Sequence, residues 1–161
     1  GIRVPFTMQW PKKIKPGTTY DKPIIALDVF ATVASAASAE KYIKNDIDGV
    51  DLLPYITGKK SGLPHKYLYW KNPDKDIDVV RDERYKYIRI KDDEYIFDLK
   101  NDISEETNII DSSKPIYDRL KSQFKVWEKD MIDPVFLDLG SGKEYNKLHP
   151  DRWYNSNPER Q

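Results

Sequence analysis

The sequence of 161 residues contains no cysteine. Disulfides, a thiolate nucleophile and any Cys-ligated metal are therefore excluded, although no cellular compartment is. There are two histidines, His65 and His149, far apart and in none of the spacings that ligate metals. Neither sign of charge is in excess, with 27 basic residues against 27 acidic. That leaves no electrostatic footprint for nucleic acid or an anionic membrane. No apolar run approaches the ~20 residues that span a bilayer. A phosphate-cradling loop is missing too: Gly140-Ser141-Gly142-Lys143 has neither the spacing nor the strand–loop–helix context. The carboxylates are scattered, with no buried acid/base pair in prospect. Asp92, Asp93 and Glu94 crowd a hairpin tip and read as a solvated turn.

What the sequence does have is aromatic area for a core, in five Phe, four Trp and eleven Tyr. Ile2, Val4, Phe6 and Met8 alternate with Arg3, Pro5, Thr7 and Gln9, which predicts a strand at the start, closed by turns at Pro11 and Pro16-Gly17. Residues 26–38 predict an Ala-rich buried helix whose apolar face is Leu27, Phe30, Val33, Ala34 and Ala37. Val50, Leu53 and Ile56, with Pro54 and Gly58, predict a short anchored helical turn. Segments 66–71, 77–81, 85–90 and 94–99 then alternate, and the three-residue links at 82–84 and 91–93 force antiparallel hairpins. The result is a four-stranded antiparallel sheet with mixed faces, one covered and one partly wet. Ile116, Leu120, Phe124, Trp127 and Met131 predict its cover, an amphipathic helix over 114–132. Ser113 is its N-cap, Pro115 lies in its first turn and Asp133-Pro134 stops it. Residues 133–161 have no periodicity and read as an arm anchored by Val135, Phe136, Leu137, Leu139, Trp153 and Tyr154.

Read from composition and pattern alone, this is an α+β chain. Five motifs in order carry it further. "GIRVPFTMQWPKKIKPG", "LDVFATVASAAS", "DGVDLLPYITG", "VRDERYKYI" and "YIFDLKNDISEETNII" resemble the C-terminal region of the sulfatases, the arylsulfatase-like branch of the alkaline phosphatase superfamily. In the last two, Val80, Arg81, Lys86 and Ile88, then Tyr95, Phe97, Asp98, Leu99, Asp102, Glu105, Asn108 and Ile109, match the family pattern; Ala31 stands where the family usually has Pro. The resemblance covers residues 1 to about 130.

It implies the end of a large α/β domain over 1–62, a small C-terminal subdomain over 63–132 and an uncovered arm over 133–161. It also implies a sulfuric ester hydrolase as parent, with calcium and a formylglycine made from Cys or Ser, whose ligands lie upstream of the first motif. No catalytic residue, metal ligand or cofactor is then expected in this chain. Its contribution would be structural support and substrate-pocket walls, with His65 the candidate substrate-binding residue because it precedes a strand, the alternative being a loop histidine that makes an ordinary hydrogen bond. The implied partners are an N-terminal sulfatase domain and the parent's sulfated substrate, an aryl or carbohydrate sulfate. The alternatives are a stand-alone binding or assembly module, or part of a related phosphodiesterase or phosphonate hydrolase. Family members are often exported; no signal for it is legible here. Alone, the chain is expected to self-associate through residues 1–40, the alternatives being that the first segment is left disordered or folds back on the small subdomain. "SNPER" at 156–160 fits the pattern that marks the formylglycine site, with Ser156, Pro158 and Arg160. Only Gln161 follows it, so no helix can begin there to stabilise an anion, and the fit reads as chance.

Overall fold

The computed structural model describes residues 2–73 and 75–132. They form two compact units, one ending at Lys66 and one beginning at Tyr67. His149, the Gly-Ser-Gly-Lys stretch, the "SNPER" pattern and the arm all lie outside the described residues.

The first unit contains α1 (Asp28–Ala36), a 3-10 turn (Glu40–Tyr42) and α2 (Leu53–Ile56). Residues 2–10 have no regular secondary structure. The apolar alternation is present, but a strand exists only when its backbone groups have a ladder to join, and no described residue supplies one. Ile2, Val4 and Phe6 are exposed. Helix α1 forms where its composition predicts and buries Ala34 of the expected face, but the large apolar residues of that face stay outside. Asp28, Ala31, Thr32 and Ala34 are buried. Leu27, Phe30 and Val33, expected in the core, are 54%, 60% and 60% exposed. The physical reason is that Asp28 and Thr32 have backbone donors to satisfy, and these lie on the buried side. α2 is the short turn expected, and Gly58, just past its C-cap Thr57, has a φ of 73° that needs a residue without Cβ strain.

The second unit is an antiparallel sheet in the order β1 (Leu68–Asn72), β2 (Ile77–Arg81), β3 (Tyr85–Ile90), β4 (Asp93–Asp98), followed by α3 (Lys114–Glu128). Pairing of Tyr69 with Val80, Val80 with Tyr87, and Tyr87 with Ile96 lays one row of side chains across all four strands. Leu120 and Phe124 of α3 close on this row. Trp127 stacks on Tyr69 at 5.0 Å between ring centroids. Ser113 is the N-cap residue, although its side chain makes no capping bond, and Pro115 sits in the first turn. The helix ends at Glu128, short of the expected 132, and Met131 is left exposed.

The next row on the same face is charged and alternates in sign: Lys71, Asp78, Arg89, Glu94. The opposite face is drier than expected, since Leu68, Val79, Lys86 and Phe97 are all buried.

Candidate functional site

His65 is not a free loop side chain. Its Nε2 lies 2.7 Å from Oδ1 of Asp28, a carboxylate with no exposed surface. The same Oδ1 accepts the Val50 N–H at 2.9 Å, and Oδ2 accepts the Ile25 N–H at 2.9 Å. One turn along α1, the Thr32 hydroxyl accepts the Leu52 N–H at 3.0 Å. Positions i and i+4 of a helix lie about 5–6 Å apart. Alternate residues of an extended chain are spaced by about 6.6 Å. Asp28 and Thr32 therefore meet the N–H groups of residues 50 and 52 as a strand partner would. The approach is close enough that a Cβ on Gly49 would lie 2.1 Å from the Leu27 carbonyl oxygen. Glycine is required here by contact, since no positive φ is involved. The two motifs "LDVFATV" and "DGVDLLP" are thus the two halves of one clamp, which His65 completes.

The second unit uses its motif residues in the same way. Lys86 is 7% exposed and donates to Glu105 at 2.5 Å, across a loop in which Glu105 has a φ of 60°. Asp102 stabilises that left-handed turn by accepting the N–H groups of Glu106 and Thr107. Those bonds hold its carboxyl below the usual range. Asn108 then finishes the outer edge of β4: its Oδ1 accepts the Ile96 N–H at 2.9 Å, and the Ile109 N–H donates to the Ile96 carbonyl. An edge strand with open backbone groups invites another chain. Here the loop closes it. Arg84 grips Asp98 through two nitrogens, at 2.9 and 2.6 Å, and that contact chiefly holds the Asp98 carboxyl at about 2.

Glu94 is the clearest departure from the sequence reading. It accepts hydrogen bonds from Tyr87 at 2.6 Å, Tyr117 at 2.7 Å and Lys121 at 2.7 Å, joining β3 and α3. Burial pushes its carboxyl up, and the bonds from Lys121, Tyr117 and Tyr87 reverse that and hold it at about 2. Burial and then Glu94 drive the Tyr87 phenol far above its ordinary value. The signal was legible in the alternation: Glu94 has the parity of Ile96 and so faces α3. Arg89 is held between Asp76 and Asp78 at 2.8 and 2.5 Å, and their bonds raise its guanidinium pKa.

Among the described residues, no group of three or more His, Cys, Asp or Glu side chains could hold a metal ion. Both oxygens of Asp28 already accept hydrogen bonds, so this donor set does not fit calcium. No described helix is long and apolar enough to cross a membrane.

The family profile described as N-sulphoglucosamine sulphohydrolase, C-terminal, matches residues 1–130. The chain belongs to this sulfatase C-terminal family. Among its relatives, the "Uncharacterized sulfatase YdeN" of Escherichia coli K12 is 38% identical over 102 residues, which are 59% of this chain and 18% of that protein. The "Ulvan-active sulfatase" of Formosa agariphila is 36% identical over 97 residues, 55% of this chain and 19% of its own length. The chain thus spans under a fifth of the length of these sulfatases. The fold is that of the structure named Ps i-CgsB, with a TM-score of 0.68 at 22% identity over 91% of this chain and 33% of that one. The chain is therefore a sulfatase C-terminal portion of α+β architecture.

Proposed function

We propose that this chain is the C-terminal part of a sulfuric ester hydrolase, in which it supplies rigidity and part of the substrate-pocket wall. The observation that carries the reading is the use to which the family motifs are put. Asp28, Thr32, Gly49, Lys86, Asp102, Glu105 and Asn108 all make internal ties or close contacts. Residues that hold a scaffold at fixed geometry support chemistry performed by others. In the longer protein, calcium and formylglycine would supply the Lewis-acid and nucleophilic chemistry. We place His65 in the pocket wall: Asp28 fixes its ring through Nε2, which leaves Nδ1 for a polar group of the substrate. A carbohydrate sulfate fits the name of the ulvan-active relative. An aryl sulfate is the convenient probe.

The test is an assay of the purified chain with p-nitrophenyl sulfate and calcium. No turnover is expected. Calcium-dependent turnover that disappears in Ser156→Ala would put the nucleophile within this chain and overturn the reading.

A further inference from the structure

The balance of charge over the whole chain hides an uneven distribution. Residues 2–20 hold four basic residues, Arg3, Lys12, Lys13 and Lys15, and no acidic one. The three lysines sit on a double turn. In its first half, the Trp10 carbonyl accepts the N–H groups of both Lys13 and Ile14 at 2.8 Å. In its second half, the Lys15 carbonyl accepts the Thr18 N–H at 3.3 Å and the Thr18 hydroxyl at 2.7 Å. Pro16 and Gly17, the latter with a φ of 74°, are the central pair that suits a type II turn. Trp10 and Ile14 are half-buried, while Lys12, Lys13 and Lys15 are exposed. The Lys13 ammonium lies over the Trp10 ring, 5.9 Å from its centroid, which restrains it. Among the described residues, none of these lysines pairs with a carboxylate, whereas Lys86, Arg89, Arg119 and Lys121 all do. Ammonium groups crowded without counter-charge repel one another, and an anion from outside relieves that repulsion.

We propose that the turn at residues 10–18 is a docking site for a sulfated polysaccharide, with Lys12, Lys13 and Lys15 gripping sulfate groups along the chain. The inference rests on the functional reading above, in which the parent acts on a carbohydrate sulfate. A polymeric substrate of that kind presents a row of anions besides the ester being cleaved. A short lysine-rich segment matches such a row: each ammonium is a hydrated point charge on a flexible stem, indifferent to the exact placing of its anion. The turn suits other polyanions less well. Trp10 is half-buried beneath Lys13 and offers no open face for nucleic-acid bases to stack on. No large apolar side chain of the turn is exposed to enter a lipid bilayer. Contact through these lysines is electrostatic and weakens as salt rises.

The test measures binding of the full chain to dextran sulfate by calorimetry over a range of salt concentrations. Uncharged dextran, single-stranded DNA and phosphatidylserine vesicles are measured alongside. Dextran sulfate should bind and dextran should not. Lys12→Gln, Lys13→Gln and Lys15→Gln together should weaken binding by about tenfold or more at low salt, and lower the slope of log affinity against log salt by about 2–3. The three side chains are exposed, so the melting temperature should hold within about 2 °C, which separates lost binding from lost fold. Should the triple variant prove unstable, Lys12→Gln and Lys15→Gln singly give the same answer in smaller steps. The triple Lys→Arg variant should bind as the parent does, because it keeps the charge. No binding of dextran sulfate, or equal binding by parent and Gln variant, overturns the inference. Tighter binding of DNA or of vesicles than of dextran sulfate assigns the turn to that partner and overturns it too. These outcomes leave the functional reading standing, since it fails on a different result, the Ser156-dependent turnover described above.

Discussion

A single backbone contact organises the first unit. Gly49 brings the chain against Leu27 closely enough for Asp28 and Thr32 to collect two N–H groups. Gly49→Ala would drive a methyl to 2.1 Å from a carbonyl oxygen, which cannot move aside as a flexible side chain could. The substitution should cost about 1–3 kcal/mol by overpacking, measured by urea unfolding. A variant as stable as the parent would mean that residues 49–52 are not seated on α1. The sequence showed Asp28, Thr32 and Gly49 as motif members, but it did not show that they meet. Contacts across about twenty residues leave no local periodicity. His65 was singled out for its position before a strand, and its partner lay 37 residues away.

At the level of elements, alternation and helical spacing were enough to locate four strands and the helix that covers them. They could not locate faces decided by hydrogen bonding. On α1 the large apolar residues Leu27, Phe30 and Val33 misled, because Asp28 and Thr32 took places inside beside Ala31 and Ala34. On α3 the apolar stripe held as far as Trp127, because Leu120 and Phe124 meet Val80, Tyr87 and Ile96 while the neighbouring polar groups are satisfied by Glu94. Phe124 is 4% exposed, whereas Trp127 is half-buried and rests on Tyr69. Phe124→Ala should therefore destabilise by about 3–5 kcal/mol, and Trp127→Ala by less. Thermal unfolding of the two variants orders them. If Trp127→Ala proves the more costly, the stack on Tyr69 is the principal anchor of α3 and the Leu120–Phe124 seam is secondary.

For the molecule as a whole, acid is the informative perturbation. Glu94 and Asp98 are each held at about 2 in the folded chain, against 4.5 and 3.8 ordinarily. The unfolded chain therefore takes up protons first as pH falls. The stabilisation from Glu94 is fully present above about pH 4.5 and is lost as pH drops towards 2. Melting temperature should decline across that window, and Glu94→Gln should flatten the decline by removing one of the titrating groups. A variant whose acid profile overlays the parent's would place the three bonds to Glu94 outside the stability of the fold.

The charged row across the sheet has a bearing on how the chain avoids error. Hairpins can mispair by two residues and still keep every side chain on its proper face. Here such a slip between β2 and β3 would set Arg89 opposite Val80 in one direction, or Asp78 opposite Tyr87 in the other, as the native pairs Asp78–Arg89 and Val80–Tyr87 dictate. Either error carries a lone charge into the seam where α3 must land. The row thus acts as a proofreading mark: a misaligned hairpin offers α3 no dry surface, and only the correctly paired sheet can be sealed.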